Sequence, residues 1–350
     1  MQTVRVLVPQ RIATRAPALG AQVHALQGVT MGTSWSVRVA GPRALDLARV
    51  AQAIQQELDL VVAQMSPWEA GSDISRFNRA PAGSWHTLPE AFAEVLDEAM
   101  QVARDSDGAY DPTAGALVDA WGFGPRQRHD EPGFMPPGEV AVQAARAVSG
   151  WPRLQTGLRG VRQPGGLRLD LSAIAKGHAV DRVVQRLARA FGLDDVLVEV
   201  GGELRGEGVK PDGQPWWVAL EPVPCWQDGA WQLDADSGST PTPISTRIAL
   251  HGLAVATSGD HRRFFTHDDR RYPHTIDPRT GRPINHGVAV VTVLDASCMR
   301  ADALSTALTV MGPQAGLPWA AQRGIAALIV TRRADGGLDE HVTPAFAALA

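Results

Sequence analysis

The chain reads as an α+β protein in which mixed, largely antiparallel sheets are flanked by helices. Two observations carry that reading. Three segments, 50–61, 92–103 and 180–191, repeat apolar residues at helical spacing, while short alternating or wholly apolar runs bounded by glycine, proline and small polar residues read as strands. Some of these strands follow one another directly and others are separated by helices, which fits α+β and not a regular strand–helix–strand alternation.

Taken in order, residues 1–22 mix Arg5, Arg11 and Arg15 with Pro9 and Pro17 and are expected to be disordered or loosely ordered, with 23–350 forming one domain. Residues 23–39 read as extended segments around Met31-Gly32-Thr33, because Trp35, Val37 and Val39 alternate with serine and arginine. A helix follows with Val50, Ile54, Leu58 and Val61 on one stripe. The polar run Ser66-Pro67-Trp68-Glu69-Ala70-Gly71-Ser72-Asp73 is a loop. A second helix starts near Pro89, buries Phe92, Val95, Leu96, Ala99 and Ala103, and stops at Asp107-Gly108. Residues 124–138, rich in proline, glycine and charge, form a surface excursion. Leu167-Arg168-Leu169-Asp170-Leu171 alternates as a strand and leads into a helix that buries Val180, Val183, Val184, Leu187 and Phe191. A buried strand at 196–200 ends at Gly201-Gly202, and further strands are expected at 216–220, 253–257, 288–294 and 325–331. Residues 226–243 read as a variable surface insertion. The helix carrying Asp302 is expected to end at Gly312-Pro313.

Composition narrows the function. The chain has 350 residues and is 44% hydrophobic, enough for a sizeable core. Lysine and arginine total 33 against 37 acidic residues, a net charge of −4, which leaves no electrostatic footprint for nucleic acid. Cys225 and Cys298 cannot build a disulfide framework, and neither sits in a C-x-x-C pattern. The first twenty residues hold no apolar run long enough for a signal peptide, and no run elsewhere has the length of a membrane span. As written, the chain is expected to be soluble, unanchored and cytoplasmic.

The most informative motif is Tyr272-Pro273-His274-Thr275-Ile276-Asp277-Pro278-Arg279-Thr280-Gly281, followed about twenty residues on by Ala301-Asp302-Ala303-Leu304-Ser305-Thr306. Asp302 and Thr306 stand i, i+4, so on a helix both oxygens project from one face, a pair of hard donors suited to a cation on a phosphate. Asp277 has two uses open to it, orienting the His274 imidazole or capping the turn that follows. P-loop, dinucleotide-fold, zinc-protease and nucleophile-elbow signatures are all absent. Five further blocks are read as sharing a composition of small, polar and glycine residues beside an aromatic, where strands end: Met31-Gly32-Thr33-Ser34-Trp35, Met65-Ser66-Pro67-Trp68, 108–115, 170–177, and Thr257-Ser258-Gly259-Asp260.

These seven blocks, in this order, resemble the ApbE family, the FAD:protein FMN transferases or flavin transferases. The resemblance runs from about Met31 to Gly312. It implies an α+β fold of two lobes with FAD bound between them, Mg²⁺ on the FAD pyrophosphate, and transfer of FMN to a threonine hydroxyl of a target protein, a redox-chain subunit, with release of AMP. On the same resemblance Met31, Trp68, Ala109, Tyr110, Asp111, Asp170, Lys176 and Ile276 contact the flavin nucleotide. The Ala173 carbonyl, Asp302 and Thr306 hold Mg²⁺, with Ser305 behind them, and His274 handles the proton of the incoming hydroxyl. Trp121 and Phe123 are expected to pack structurally. An indole at Trp68 keeps the stacking surface of the tyrosine common at that position but loses its hydroxyl. His261 stands where an aromatic residue is common and Glu203 where a shorter aspartate is common. Many relatives are periplasmic lipoproteins, and this chain has no cysteine before Cys225 to carry a lipid. Two rival functions use the same residues: an FAD pyrophosphatase giving FMN and AMP, and a non-catalytic FAD-binding or assembly protein.

Overall fold

The computed structural model describes residues 4–12, 20–126, 128–158, 160–221, 225–227, 230–232, 245–260, 263–333, 335 and 337–350. At its centre is an eight-stranded sheet, in the order Ala21–Thr30, Thr33–Pro42, Val196–Val200, Glu203–Glu207, Leu253–Gly259, Val288–Asp295, Ala326–Arg332 and Leu338–Val342. Every neighbouring pair is antiparallel. The helices Leu47–Met65, Ala175–Phe191 and Cys298–Gln322 cover one face and share the main core with Trp35, Val37 and Val39. The other face carries a second core, closed by a three-stranded sheet of Val4–Leu7, Ser245–Leu250 and Trp216–Ala219 and by Phe346. Val288–Asp295 is therefore buried on both sides: Val291 and Val293 enter the main core, Val290 and Leu294 the second. That is why its sequence is a near-continuous apolar run, broken only by Thr292 before the terminal Asp295.

The first hairpin of the sheet turns at Met31 and Gly32, between the paired Thr30 and Thr33. Both central residues have positive φ, 49° and 70°, as a two-residue hairpin matching the strand twist requires. A smaller cluster stands apart from the main core, built from Leu117, Trp121, Phe123, Val142 and Ile276, with Phe265 and Tyr272 packed on it. Phe265 stacks on Tyr272 at 4.9 Å and Tyr272 on Trp121 at 5.6 Å, which ties the hairpin Phe264–His267/Arg270–Pro273 to the 121–138 segment. Asp260 fastens the same hairpin to the sheet, receiving Arg271 at 2.8 Å and Arg332 at 2.7 Å.

The structure departs from the sequence reading in several places. Leu167, Leu169 and Leu171 are buried as their alternation implies, yet residues 167–171 join no sheet beyond a single bridge between Ala114 and Arg168. Their backbone is paired by loops instead: the Asn78 side chain bonds both the N–H and the carbonyl of Leu169, and Asp170 N donates to the Pro112 carbonyl. Alternation reports which side chains are buried, not what the backbone bonds to. Val4–Leu7, inside the stretch read as loosely ordered, pairs in parallel with Ser245–Leu250 and buries Leu7 completely. The helix carrying Asp302 breaks at Gly312, with φ 70° and ψ 176°, and then resumes to Gln322. Of the 226–243 insertion, Cys225–Gln227 and Ala230–Gln232 pair as a short hairpin, and 228–229 and 233–243 lie outside the described residues. No helix among the described residues is long and apolar enough to cross a membrane.

Candidate active site

An open cleft lies between the main core and the smaller aromatic cluster. Ser172, Ala173, Ser258 and Thr306 form one wall, and Val118, Phe123, Ile276 and Pro278 form the other. The helices Ala175–Phe191 and Cys298–Gln322 bring their first turns together here. They approach so closely that a Cβ on Gly177 would lie 2.3 Å from the Cys298 carbonyl oxygen. The Gly177 N–H donates to Asp302 Oδ2 at 3.1 Å. Asp302 is buried beneath the cleft, and Thr306, one turn on, lines it.

Three hydroxyls at this wall form a chain whose polarity can be worked out. Ser305 Oγ donates its one proton to the Asp302 carbonyl at 2.8 Å. It must therefore accept from Ser258 Oγ, 2.7 Å away, and Ser258 must in turn accept from Thr306 Oγ1 at 3.1 Å. The Thr306 proton is thus turned away and its lone pairs remain for a cation.

His274 lines the cleft with its ring edge-on to Phe123 at 6.3 Å. The Arg263 carbonyl lies 3.0 Å from both His274 N and His274 Nδ1 and accepts from each, which places the ring proton on Nδ1 and leaves Nε2 as the proton acceptor. Burial, reinforced by the Arg263 charge, pulls the His274 pKa down to about 4, so the imidazole is neutral at physiological pH.

Residues 31–329 match the ApbE family. The chain belongs to the ApbE family. An FAD:protein FMN transferase of Vibrio cholerae is 38% identical over 333 residues, covering 93% of this chain and 92% of that protein. The FAD:protein FMN transferase of Escherichia coli K12 is 32% identical over the same length, covering 93% and 88%. In three dimensions the chain is similar to the flavinyl transferase ApbE of Pseudomonas stutzeri in its apo form, with a TM-score of 0.82, 38% identity and coverage of 94% of this chain and 97% of that one. The flavin transferase ApbE of Vibrio cholerae gives a TM-score of 0.82 at 35% identity, covering 94% and 100%.

Of the residues singled out by the ApbE resemblance, the fold brings Trp68, Ala109, Tyr110, Asp111, Asp170, Ala173, His274, Ile276 and Thr306 to the cleft wall. Met31, Lys176 and Asp302 do not line it. Met31 packs against the main core from its hairpin turn. Lys176 Nζ is held 2.5 Å from Glu203 Oε1. Burial opposes the Lys176 charge, but the Asp302 and Glu203 carboxylates outweigh it and its pKa is raised. Burial pushes the Glu203 carboxyl up to about 8 despite that lysine, and its Oε2 is buried with no hydrogen-bond partner.

Several side chains are committed to local structure. Asp111 Oδ1 accepts from Thr113 N at 2.8 Å and from Thr113 Oγ1 at 2.6 Å, and Oδ2 accepts from Trp151 N at 3.0 Å, so this carboxylate organises its loop. Asp170 accepts from Ser172 N at 2.8 Å. Asp277 accepts from the Arg279 backbone and guanidinium at 2.9 Å, which settles its role as the turn cap. Trp121, as expected, packs structurally, its Nε1 donating to the Gly281 carbonyl at 2.8 Å. Phe123 lines the cleft as well as packing. Trp68 stands at the cleft edge, 46% exposed, with the Arg128 guanidinium 5.9 Å from its ring.

Sequence reasoning missed Ser258 as an active-site hydroxyl and Arg263 altogether. Ser258 sat in a marked block whose chemistry depends on contact with a helix some fifty residues away, and nothing in local spacing marks Arg263. His261 lies outside the described residues.

The donor set suits Mg²⁺. Burial pushes the Asp302 carboxyl above the usual range, with the Lys176 ammonium and the Gly177 N–H compensating only in part, so this oxygen is short of positive charge. A second hard donor, Thr306, is oriented by the hydroxyl chain, and Ala173 lines the same wall. Among the described residues no three His, Cys, Asp or Glu side chains gather into a metal site, so a cation here would rest on one carboxylate together with hydroxyl, substrate and water oxygens.

Proposed function

We propose that this chain is an Mg²⁺-dependent FAD:protein FMN transferase that moves FMN from FAD to a threonine hydroxyl of an acceptor flavoprotein and releases AMP. The observation that carries the proposal is the meeting of two groups on one cleft: Thr306 with its lone pairs open, one helical turn from the buried Asp302, and a neutral His274 with Nε2 free. Asp302, Thr306 and the Ala173 carbonyl would hold Mg²⁺, which would supply charge to stabilise the pyrophosphate and the departing AMP. His274 Nε2 takes the proton of the incoming threonine hydroxyl as its oxygen bonds to the FMN phosphorus and the phosphorus–oxygen bond to AMP breaks. The Arg263 carbonyl holds the imidazole in the required tautomer, and Trp68 offers an aromatic surface to a flat ring at the cleft edge. The names and coverage of the relatives support the transfer of FMN from FAD to a protein.

The test is incubation with FAD, Mg²⁺ and a candidate acceptor, a redox-chain subunit carrying the threonine, followed by mass spectrometry of that acceptor. A mass gain of one FMN with matching AMP is expected. FMN appearing only in solution would make the chain an FAD pyrophosphatase, and bound FAD with no AMP under any condition would make it a carrier.

A further inference from the structure

Beyond the Mg²⁺ that Asp302, Thr306 and the Ala173 carbonyl would hold, the cleft offers a dinucleotide little positive charge. Two carboxylates, Asp111 and Asp170, face it, and the pyrophosphate of a dinucleotide adds two more negative charges. Lys176, the cation suggested by the sequence, lies outside the lining and is held by Glu203. Among the described residues that line the cleft, the lone lysine or arginine is Arg263.

We infer that Arg263 grips the pyrophosphate oxygens of the flavin dinucleotide. The inference rests on the transferase reading and adds to it a role for the Arg263 side chain, beside the one its carbonyl has at His274. Its backbone is anchored, because its carbonyl accepts both His274 N–H groups at 3.0 Å, so the guanidinium starts from a fixed point beside the proton acceptor. Neighbouring arginines are committed: Arg271 and Arg332 to Asp260, Arg279 to Asp277. The Arg263 guanidinium makes no hydrogen bond or ion pair among the described residues and keeps its fork of N–H donors for a ligand. A planar fork matches two phosphoryl oxygens at once, which an ammonium cannot do. Its charge reaches His274, where it is the second contributor to the lowered pKa, so the fork and the imidazole share one local environment.

The experiment measures binding of FAD, and of riboflavin as a probe without phosphate, to the parent, Arg263→Gln and Arg263→Lys, by flavin fluorescence in Mg²⁺. Each variant is checked by its melting curve. Loss of charge-assisted hydrogen bonds should weaken FAD binding by roughly tenfold to a hundredfold in Arg263→Gln. Arg263→Lys should lose less, and riboflavin should bind all three proteins alike. FAD affinity within about twofold of the parent in Arg263→Gln, or an equal loss for riboflavin, overturns the inference. If Arg263→Gln does not fold, Arg263→Lys decides: unchanged FAD affinity counts against the fork, and a loss confined to FAD supports it. A parent that binds FAD and flavinylates its acceptor while both variants match it removes Arg263 and leaves the transferase reading standing. A parent that neither binds FAD nor transfers FMN removes both.

Discussion

Replacing Gly177 by alanine is expected to destabilise the protein, although alanine is the better helix former by about 1 kcal/mol. Gly177 lies in the Ala175–Phe191 helix where the start of the Cys298–Gln322 helix crosses it. The added Cβ would stand 2.3 Å from the Cys298 carbonyl oxygen, 2.6 Å from its carbon and 2.8 Å from Met299 Cα. All three are backbone atoms, so no flexible side chain can swing aside. Restoring ordinary contact, about 3.5 Å, requires the helices to part by about 1 Å. Such overpacking costs about 1–3 kcal/mol. The same displacement stretches the 3.1 Å bond from Gly177 N to Asp302, and a hydrogen bond to a charged group contributes about 1.5–3 kcal/mol. Set against the propensity gain, the net loss is about 1.5–5 kcal/mol. Urea unfolding of parent and variant measures it, and Mg²⁺ titration of the transfer reaction should show a raised metal requirement as Asp302 moves. A variant as stable as the parent, or more stable, would refute the argument that this glycine exists to let the helices touch.

Ser258→Ala removes the acceptor that holds the Thr306 proton away from the cation site. It should raise the Mg²⁺ concentration for half-maximal transfer severalfold while leaving the melting curve close to the parent's, and an unchanged Mg²⁺ requirement would count against the hydroxyl chain. His274→Ala should lower transfer by about 10²–10⁴ with FAD binding retained, measured by the rate of acceptor flavinylation; full rates would remove it as the proton acceptor. His178 is buried with Nε2 unpartnered, and burial, with help from Arg182 and against Asp181, pulls its pKa from 6.5 to about 4. Because the unfolded chain binds this proton more tightly, the contribution is fully present above pH 6.5 and is lost as pH falls toward 4. It amounts to about 3 kcal/mol. Urea midpoints of the parent should fall more steeply between pH 6.5 and 4.5 than those of His178→Gln, and equal slopes would exonerate His178.

Much of the fold was legible because burial and periodicity coincide. The Val50–Val61 stripe, the strand at 196–200 and the break at Gly312 all follow from side-chain pattern and backbone preference. Leu167–Leu171 was misread because its backbone is paired by the Asn78 amide and a loop, a partner no local pattern announces. The same divide runs through the candidate site. Asp302 and Thr306 were legible from spacing on one helix, whereas the closeness of Lys176 to Glu203, the Ser258 hydroxyl and the Arg263 position depend on contacts between segments far apart in sequence. Asp277 had two readings until the structure showed it bonded to Arg279.

The attachment of Asp260 to Arg271 and Arg332 carries a consequence for how an acceptor is chosen. It rivets the hairpin leading to His274 onto the same sheet that packs against the Asp302 helix. The proposed proton acceptor His274 and the proposed cation ligands Asp302 and Thr306 are therefore braced against one sheet. Adaptation has to come from the visiting protein, so the threonine to be modified should sit on a pliable, extended stretch of its host, and burying that stretch in a folded element should abolish its modification.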